Sequence, residues 1–221
     1  MSSKPYRGVA MEGGVARWYT ARAKRERGEY QALARRIAET LPADAKVLEV
    51  APGPGYLAIE LAKLGKFSIA GLDISETFVE IASRNAQQEG VEVDFRHGDV
   101  ADMPFAEATF DSVVCRAAFQ NFSQPNEALR EIRRVLRPGG VAVLIDLRRD
   151  AVSRAINQHV RQVSSNLREW LTNQLLFRLL LLRRAYTEAQ LKQFASSAGF
   201  DEVEIRKGPV FLEAWLSGAV R

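Results

Sequence analysis

The sequence predicts a doubly wound α/β domain whose mostly parallel sheet carries helices on both faces. Three observations predict it. From Lys46 to Leu147, short continuous apolar runs alternate with amphipathic stretches. Strands buried on both faces and covered by helices require that pattern. A glycine-rich turn, Glu49-Val50-Ala51-Pro52-Gly53-Pro54-Gly55, follows the first apolar run. The chain closes on two runs joined at Gly208-Pro209, a connection so tight that this pair must be antiparallel.

Composition narrows the class. With 221 residues, 47% hydrophobic and 26% charged, the chain can bury one substantial core but not two. One domain over 1–221 is expected: an N-terminal arm and helix over 1–40, a ligand-binding core over 45–148, a helical insertion or lid over 149–186, and a last helix with the antiparallel pair over 187–221. The formal charge is +4, but the 31 basic and 27 acidic residues are mixed along the chain. A nucleic-acid footprint concentrates its basic residues on one face, so no nucleic-acid partner is expected. Cys115 is the lone cysteine, which excludes an internal disulfide and a cysteine-based zinc site. No His/Asp/Glu group has metal-ligand spacing, and no metal is expected. The first twelve residues hold no apolar stretch after a basic start, so no secretory leader is read there and the cytoplasm is the expected location. Leu175 to Leu182 is interrupted by Arg178 and falls far short of the roughly 20 residues that span a bilayer.

Taken in order, residues 1–25 carry no sustained period and include Gly8, Gly13 and Gly14, which suggests a partly ordered arm. Helical spacing starts near Arg27, passes through Leu33, Ile37 and Leu41, and stops before Pro42. A strand over Lys46 to Val50 and a helix over Tyr56 to Leu64 follow. Phe67 to Leu72 is a second buried strand, and Ser75 stands where it can cap a helix over Glu76 to Gln88. Val91 to Arg96 and Thr109 to Cys115 are the third and fourth strands. A helix from Asn126 to Leu136 is closed by Pro138-Gly139-Gly140, ahead of a strand over Val141 to Leu147. Beyond Asp150 the period is helical for some 35 residues. Thr187-Glu188-Ala189-Gln190 then opens another helix with a capping-box pattern, before the strands Glu202 to Lys207 and Val210 to Leu216.

In open parallel sheets ligands bind beyond the carboxyl ends of the strands. Gly53 and Gly55 let the backbone approach a ligand closely, and the helix from Tyr56 directs its first N–H groups there. Gly53-x-Gly55-x-x-Ala58 also matches the dinucleotide fingerprint, so this loop alone leaves NAD open. Asp73, 20 positions after Gly53, can accept hydrogen bonds from both hydroxyls of a ribose and suits either ligand. Gly98-Asp99-Val100 separates them, offering an acidic side chain to an exocyclic amine and an apolar neighbour to a purine face.

From Lys46 to Leu147 the chain resembles the class I S-adenosylmethionine-dependent methyltransferases, the small-molecule group above all. Five segments carry the resemblance in the family's order: Val47 to Gly55, Gly71-Leu72-Asp73-Ile74-Ser75, Gly98 to Phe105, Phe110 to Cys115, and Leu136-Arg137-Pro138-Gly139-Gly140. It implies seven strands in the order 3-2-1-4-5-7-6 with the seventh antiparallel. S-adenosylmethionine is the implied cofactor and S-adenosylhomocysteine its product. Glu49, Ala51, Gly53 and Gly55 would surround the methionine part and Asp73 would hold the ribose. Ile74 and Val100 would pack at the adenine while Asp99 takes its amine, and Arg116 with Ala117 would line the pocket. The family usually has glycine where this chain has Ala51.

The acceptor side is less determined. Phe119, Gln120 and Asn121, with Phe122, follow the fourth strand and could orient an acceptor or form a packing turn. Tyr19, with Tyr6 and Trp18, could fold over the cofactor or only anchor the arm. The Asn/Asp-Pro-Pro-Tyr/Phe pattern of enzymes that methylate amide or amino nitrogens is absent after the fourth strand. Cys115 reads as a small buried hydrophobe, His97 as structural and His159 as a surface or packing histidine, although a general base is conceivable there. The basic, apolar run from Trp170 to Arg184 could be a lid, a membrane contact, or, over 165–184, the face of a homodimer. No catalytic residue is named. The expected activity is methyl transfer to a small-molecule acceptor, since a sulfonium methyl needs alignment and exclusion of water more than a dedicated acid–base pair. The competing readings are a non-catalytic S-adenosylmethionine-binding sensor or partner subunit, and an RNA methyltransferase.

Overall fold

A computed structural model describes residues 6–7, 11–164 and 166–218. Gly8 of the expected arm, Ser165 at the start of the expected dimer face, and residues 219–221 lie outside the described residues. Lys46–Val50 (β1), Ser68–Asp73 (β2), Asp94–His97 (β3), Phe110–Arg116 (β4), Leu136–Leu147 (β5), Glu202–Lys207 (β6) and Phe211–Ser217 (β7) form one sheet in the order β3-β2-β1-β4-β5-β7-β6. The first five strands pair in parallel, and β7 runs antiparallel to β5 and β6. Order and reversed strand are as the sequence led us to expect.

The helices are Gly13–Ala23 (α1), Arg27–Ala38 (α2), Tyr56–Ala62 (α3), Glu76–Gln88 (α4), Pro125–Val135 (α5), Ser153–Gln162 (α6), Leu167–Leu176 (α7), Leu182–Arg184 (α8) and Glu188–Ser197 (α9). On one face of the sheet, Leu33 and Ile37 of α2 and Leu57 and Leu61 of α3 pack on Val47, Ile69, Val114 and Val143. On the other, Leu129 and Ile132 of α5 and Leu191 of α9 pack on Leu48, Leu72, Val113 and Leu144. Alternate residues of a strand serve opposite cores, which is why these strands read as continuous apolar runs. The insertion builds a smaller cluster, Ile156, Val160 and Phe177 against Leu147 and Val210. Ser75 caps α4, its hydroxyl accepting from Phe78 N at 3.0 Å, and Thr187 and Gln190 form the reciprocal box at α9.

Several boundaries move for physical reasons. Residues 13–23 are helical rather than an irregular arm; only Ala16 and Ala23 of α1 are buried, so no apolar stripe marks it in the sequence. β3 begins at Asp94 instead of Val91 because Val91 N–H donates to Ala86 O at 3.1 Å and closes α4. α3 stops at Ala62, two residues early. β5 begins at Leu136, so the Pro138-Gly139-Gly140 turn lies within the strand. Its ladder with β4 breaks between Phe110↔Leu136 and Ser112↔Val141. A Cβ on Gly140 would stand 3.0 Å from Arg137 O and 3.1 Å from Asp111 O, so glycine is required for that close approach.

Candidate functional site

The sheet order reverses between β1 and β4, and the expected residues gather beyond the carboxyl ends of these strands. Glu49, next to last in β1, is 3% exposed and accepts from Ala58 N at 2.8 Å. One of the first-turn donors of α3 is therefore spent on the chain's own carboxylate. Burial pushes the Glu49 carboxyl up to about 8, against the Ala58 N–H and the charge of Arg116, with Asp73 adding to the rise. The chain then turns through Ala51 at φ 52°, Gly53 at 55° and Gly55 at 78°, and Ala51 N–H donates to Leu72 O at 2.8 Å. A left-handed alanine is strained, which explains why glycine suits position 51. Ala51→Gly is expected to raise stability by about 0.5–1 kcal/mol: the left-handed penalty of ~1–2 kcal/mol less the ~0.4–1 kcal/mol by which glycine favours the unfolded chain. An unchanged or lower melting temperature would contradict strain there.

Asp73 ends β2 and is fixed by this loop. Its Oδ2 accepts from Gly53 N at 2.9 Å and its Oδ1 from Ser75 N at 2.9 Å. Burial raises the Asp73 carboxyl to about 6 despite those two N–H groups. A carboxylate has about four acceptor positions, so two stay open for a diol. Gly98 N–H donates to Asp73 O at 2.9 Å, which sets Asp99 one residue beyond. Asp99 Oδ1 accepts from Ala101 N at 2.9 Å. Val100 is partly buried against the core, and Ile74 is 37% exposed, its carbonyl 3.1 Å from His97 Nε2. Gly53 is thus bonded to the Asp73 side chain and Ala51 to the backbone of Leu72 beside it, while Ile74, Asp99 and Val100 follow on the β2–β3 side.

Arg116, at the end of β4, is held by α2 and the residue before it. Its guanidinium lies 4.3 Å from the centre of the Tyr30 ring and pairs with Glu26 at 3.3 Å and Glu29 at 3.2 Å. It clamps the start of α2 to the end of β4. Ala117 next to it is also left-handed, φ 57°, so two strained alanines flank the switch point. In the turn Phe119–Asn121, Phe119 is 1% exposed and stacked among Phe122, Tyr186 and Phe194; it belongs to the core. Gln120 is 2% exposed, its N–H donates to Asp146 Oδ2 at 2.9 Å, and its Oε1 has no partner. Asn121 O accepts from Arg7 N at 2.8 Å.

Asp146 was not among the expected residues. It is 4% exposed near the end of β5, accepts from Gln120 N and Leu147 N, and burial raises its carboxyl to about 6. The signal for it is an acid inside the run Val141 to Leu147. His159 lies between the rings of Phe177 and Phe211, where burial pushes its imidazole below the usual value. Cys115 is buried. Among the described residues no group of three His, Cys, Asp or Glu side chains could hold a metal ion.

The described N-terminal residues contact this cluster on two sides. Tyr6 bridges to Phe122, and its hydroxyl, pushed up to about 12 by burial, feels both Asp73 and Asp146. On the far side Met11 O accepts from Ser75 Oγ at 2.7 Å, Glu12 takes the Thr77 N–H and hydroxyl, and Gly13 N donates to Thr77 Oγ1 at 3.1 Å. Tyr19 lies edge-on to Phe78, 3.8 Å from where a Cβ on Gly53 would stand. A surface groove of about 390 Å³ lies at the opposite, amino edge of the sheet, against Leu41, Pro42, Ser112, Gly139 and Trp215; it shares no residue with this cluster.

Residues 48–144 match the family described as "Methyltransferase domain". An uncharacterized methyltransferase YcgJ of Bacillus subtilis is 37% identical over 105 residues, 47% of this chain and 41% of that protein. A demethylmenaquinone methyltransferase of Deinococcus radiodurans is 36% identical over 102 residues, 46% of this chain and 42% of that protein. The chain thus spans less than half the length of the curated relatives it matches. Among solved structures, a candidate S-adenosyl-L-methionine-dependent methyltransferase of Methanococcus maripaludis superposes with a TM-score of 0.74 at 21% identity, covering 100% of this chain and 98% of that one.

Proposed function

We propose, from the match of residues 48–144 to a methyltransferase domain, that this chain is a class I S-adenosylmethionine-dependent methyltransferase and transfers a methyl group from S-adenosylmethionine to a small-molecule acceptor. The observation that carries the reading is Asp73: a buried carboxylate fixed by Gly53 N–H and Ser75 N–H with two acceptor positions open. The strained Ala51 and the left-handed glycines beside it fit the same ligand, because they bring bare backbone to the place its amino-acid part would take.

In this site Asp73 accepts from the ribose hydroxyls and Asp99 from the adenine amine, with Ile74 and Val100 against the ring. Glu49 faces the cationic amino-acid end together with Ala51, Gly53 and Gly55. Bound S-adenosylmethionine supplies a methyl group on an electrophilic sulfonium. The protein's share is alignment and exclusion of water. Tyr6 and Tyr19 close the space above the loop. Gln120, with a free amide oxygen, and Asp146, partly protonated near neutral pH, give the acceptor side one fixed hydrogen-bond acceptor and one group able to take a proton. Arg116 acts by holding α2 against β4 instead of touching the ligand. A single buried cysteine and a reaction on a soluble cofactor support a cytoplasmic setting. The relative from Deinococcus radiodurans is named for demethylmenaquinone, which supports a small organic acceptor and leaves its identity to an acceptor screen.

Isothermal calorimetry with S-adenosylmethionine and S-adenosylhomocysteine tests the reading; absence of binding by both would sink it. Asp73→Ala should weaken binding by ~1.5–3 kcal/mol, the range for a hydrogen bond to a charged group. An unchanged affinity would remove Asp73 from the site.

A further inference from the structure

The insertion between β5 and α9 turns an apolar row to solvent. Leu167, Leu171 and Leu175 recur every four residues along α7 and are 72%, 55% and 61% exposed; Leu179 continues the row at 45%. The opposite side of the helix packs inward through Trp170, Asn173 and Phe177. Spacings of three and four residues place these two sets on opposite faces. Phe177–Leu181 is wound as a π-helix, which carries the row past the end of α7.

The end of α1 and the residues after it reach α7. Arg22 donates to Asn173 Oδ1 at 2.6 Å, and Arg25 pairs with Glu169 at 3.0 Å. Trp18, one turn before Arg22, is 58% exposed, and Val15 is 38% exposed. Four leucines left in water along one helix face mark a surface that something covers.

The charge of the same segment says what covers it. Residues 149–186 hold seven arginines and only two acids, Asp150 and Glu169, for a net charge of +5 where the whole chain carries +4. Asp150 pairs with Arg148 at 2.8 Å, and Glu169 pairs with Arg25, between α1 and α2, at 3.0 Å. Arg168 and Arg178 are exposed beside the leucines, and Arg178 donates to the neutral amides of Gln174 and Asn157. A two-fold contact with a second copy would set these arginines against one another. We propose that this face docks on the surface of an anionic lipid bilayer, with Leu167, Leu171, Leu175 and Leu179 entering the interface and the arginines meeting the lipid phosphates. The helices lie on the surface: no helix among the described residues is long and apolar enough to cross a membrane. The proposal does not depend on the methyl-transfer reading.

Co-sedimentation of the full chain with vesicles tests it without any activity measurement. The chain should pellet with vesicles of phosphatidylglycerol and phosphatidylcholine in equal parts, bind pure phosphatidylcholine weakly, and release as salt is raised. Leu171→Glu with Leu175→Glu should lower the partition at least about tenfold with circular dichroism and melting unchanged, both side chains being exposed. Arg168→Gln with Arg178→Gln should lower it about tenfold on the anionic vesicles alone. A chain that stays in the supernatant with both vesicles, or a leucine variant that partitions like the parent, overturns the proposal. So does a dimer in analytical ultracentrifugation that the leucine variant splits while the parent ignores vesicles.

Discussion

Gly55→Ala should lower stability by about 3 kcal/mol and the melting temperature by about 6–12 °C. Two costs add. Position 55 has φ 78°, which a side chain tolerates only at ~1–2 kcal/mol. The new Cβ would stand 2.7 Å from Phe95 Cζ and 2.9 Å from Ala82 Cβ, and overpacking of that kind costs ~1–3 kcal/mol. At ~2–4 °C per kcal/mol for a chain of this size, the loss is readily measured. Phe95 pairs with Gly71 across β2 and β3, and a Cβ on Gly71 would stand 2.4 Å from its ring. One phenyl ring thus fills the room that two glycines leave, and it supports the ligand loop from beneath. A double-mutant cycle separates the costs: in Phe95→Leu the ring's share of the clash at position 55 disappears, while the contact with Ala82 and the backbone cost remain. A coupling of about 1–3 kcal/mol is expected. A coupling near zero would show that the clash is relieved elsewhere and that Phe95 does not support the loop.

What the sequence disclosed follows from how local each cause is. β1, β2, the Ser75 cap and the Thr187–Gln190 box were legible because each depends on residues a few positions apart. The loop at 49–55 was legible as a place, since its glycines mark the turn whatever the ligand. The role of Phe95 was not, because its two glycines lie 40 and 24 positions upstream. The partners of Arg116 were hidden for the same reason: Glu26, Glu29 and Tyr30 come from a segment some 90 residues earlier. α1 was missed because its buried side chains are alanines, too small to show a period. Phe119 read as a site residue from its position after β4, yet Tyr186 and Phe194 arrive from the far end of the chain and draw it into the core. Asp146 was visible as an acid among apolar residues, but only Gln120 N–H, brought in by the turn after β4, shows what it holds.

On the proposed function, the buried carboxyls should make ligand binding a proton-linked event. Glu49 is raised to about 8, and Asp73 and Asp146 each to about 6, in every case chiefly by burial. A carboxyl whose folded value is raised stabilises the fold fully below its unfolded pKa, and that contribution is lost as pH climbs through the folded value. Without ligand, stability should therefore fall between about pH 4.5 and pH 8, and Glu49→Gln should flatten the upper part of that slope. A ligand bringing a sulfonium and an ammonium reverses the electrostatics, because a nearby cation favours the ionised carboxylate. Binding at pH 6–7, where Glu49 is still protonated, should then release close to one proton. Two readouts follow. Affinity for S-adenosylmethionine should tighten by about tenfold from pH 6 to pH 7, the slope for one proton, and the calorimetric enthalpy should differ between phosphate and Tris by the difference in their ionisation enthalpies. Glu49→Gln, which keeps the shape but has no proton to give, should remove most of both. If the enthalpy is independent of buffer and the affinity flat across this range, Glu49 does not meet the cationic end of the ligand.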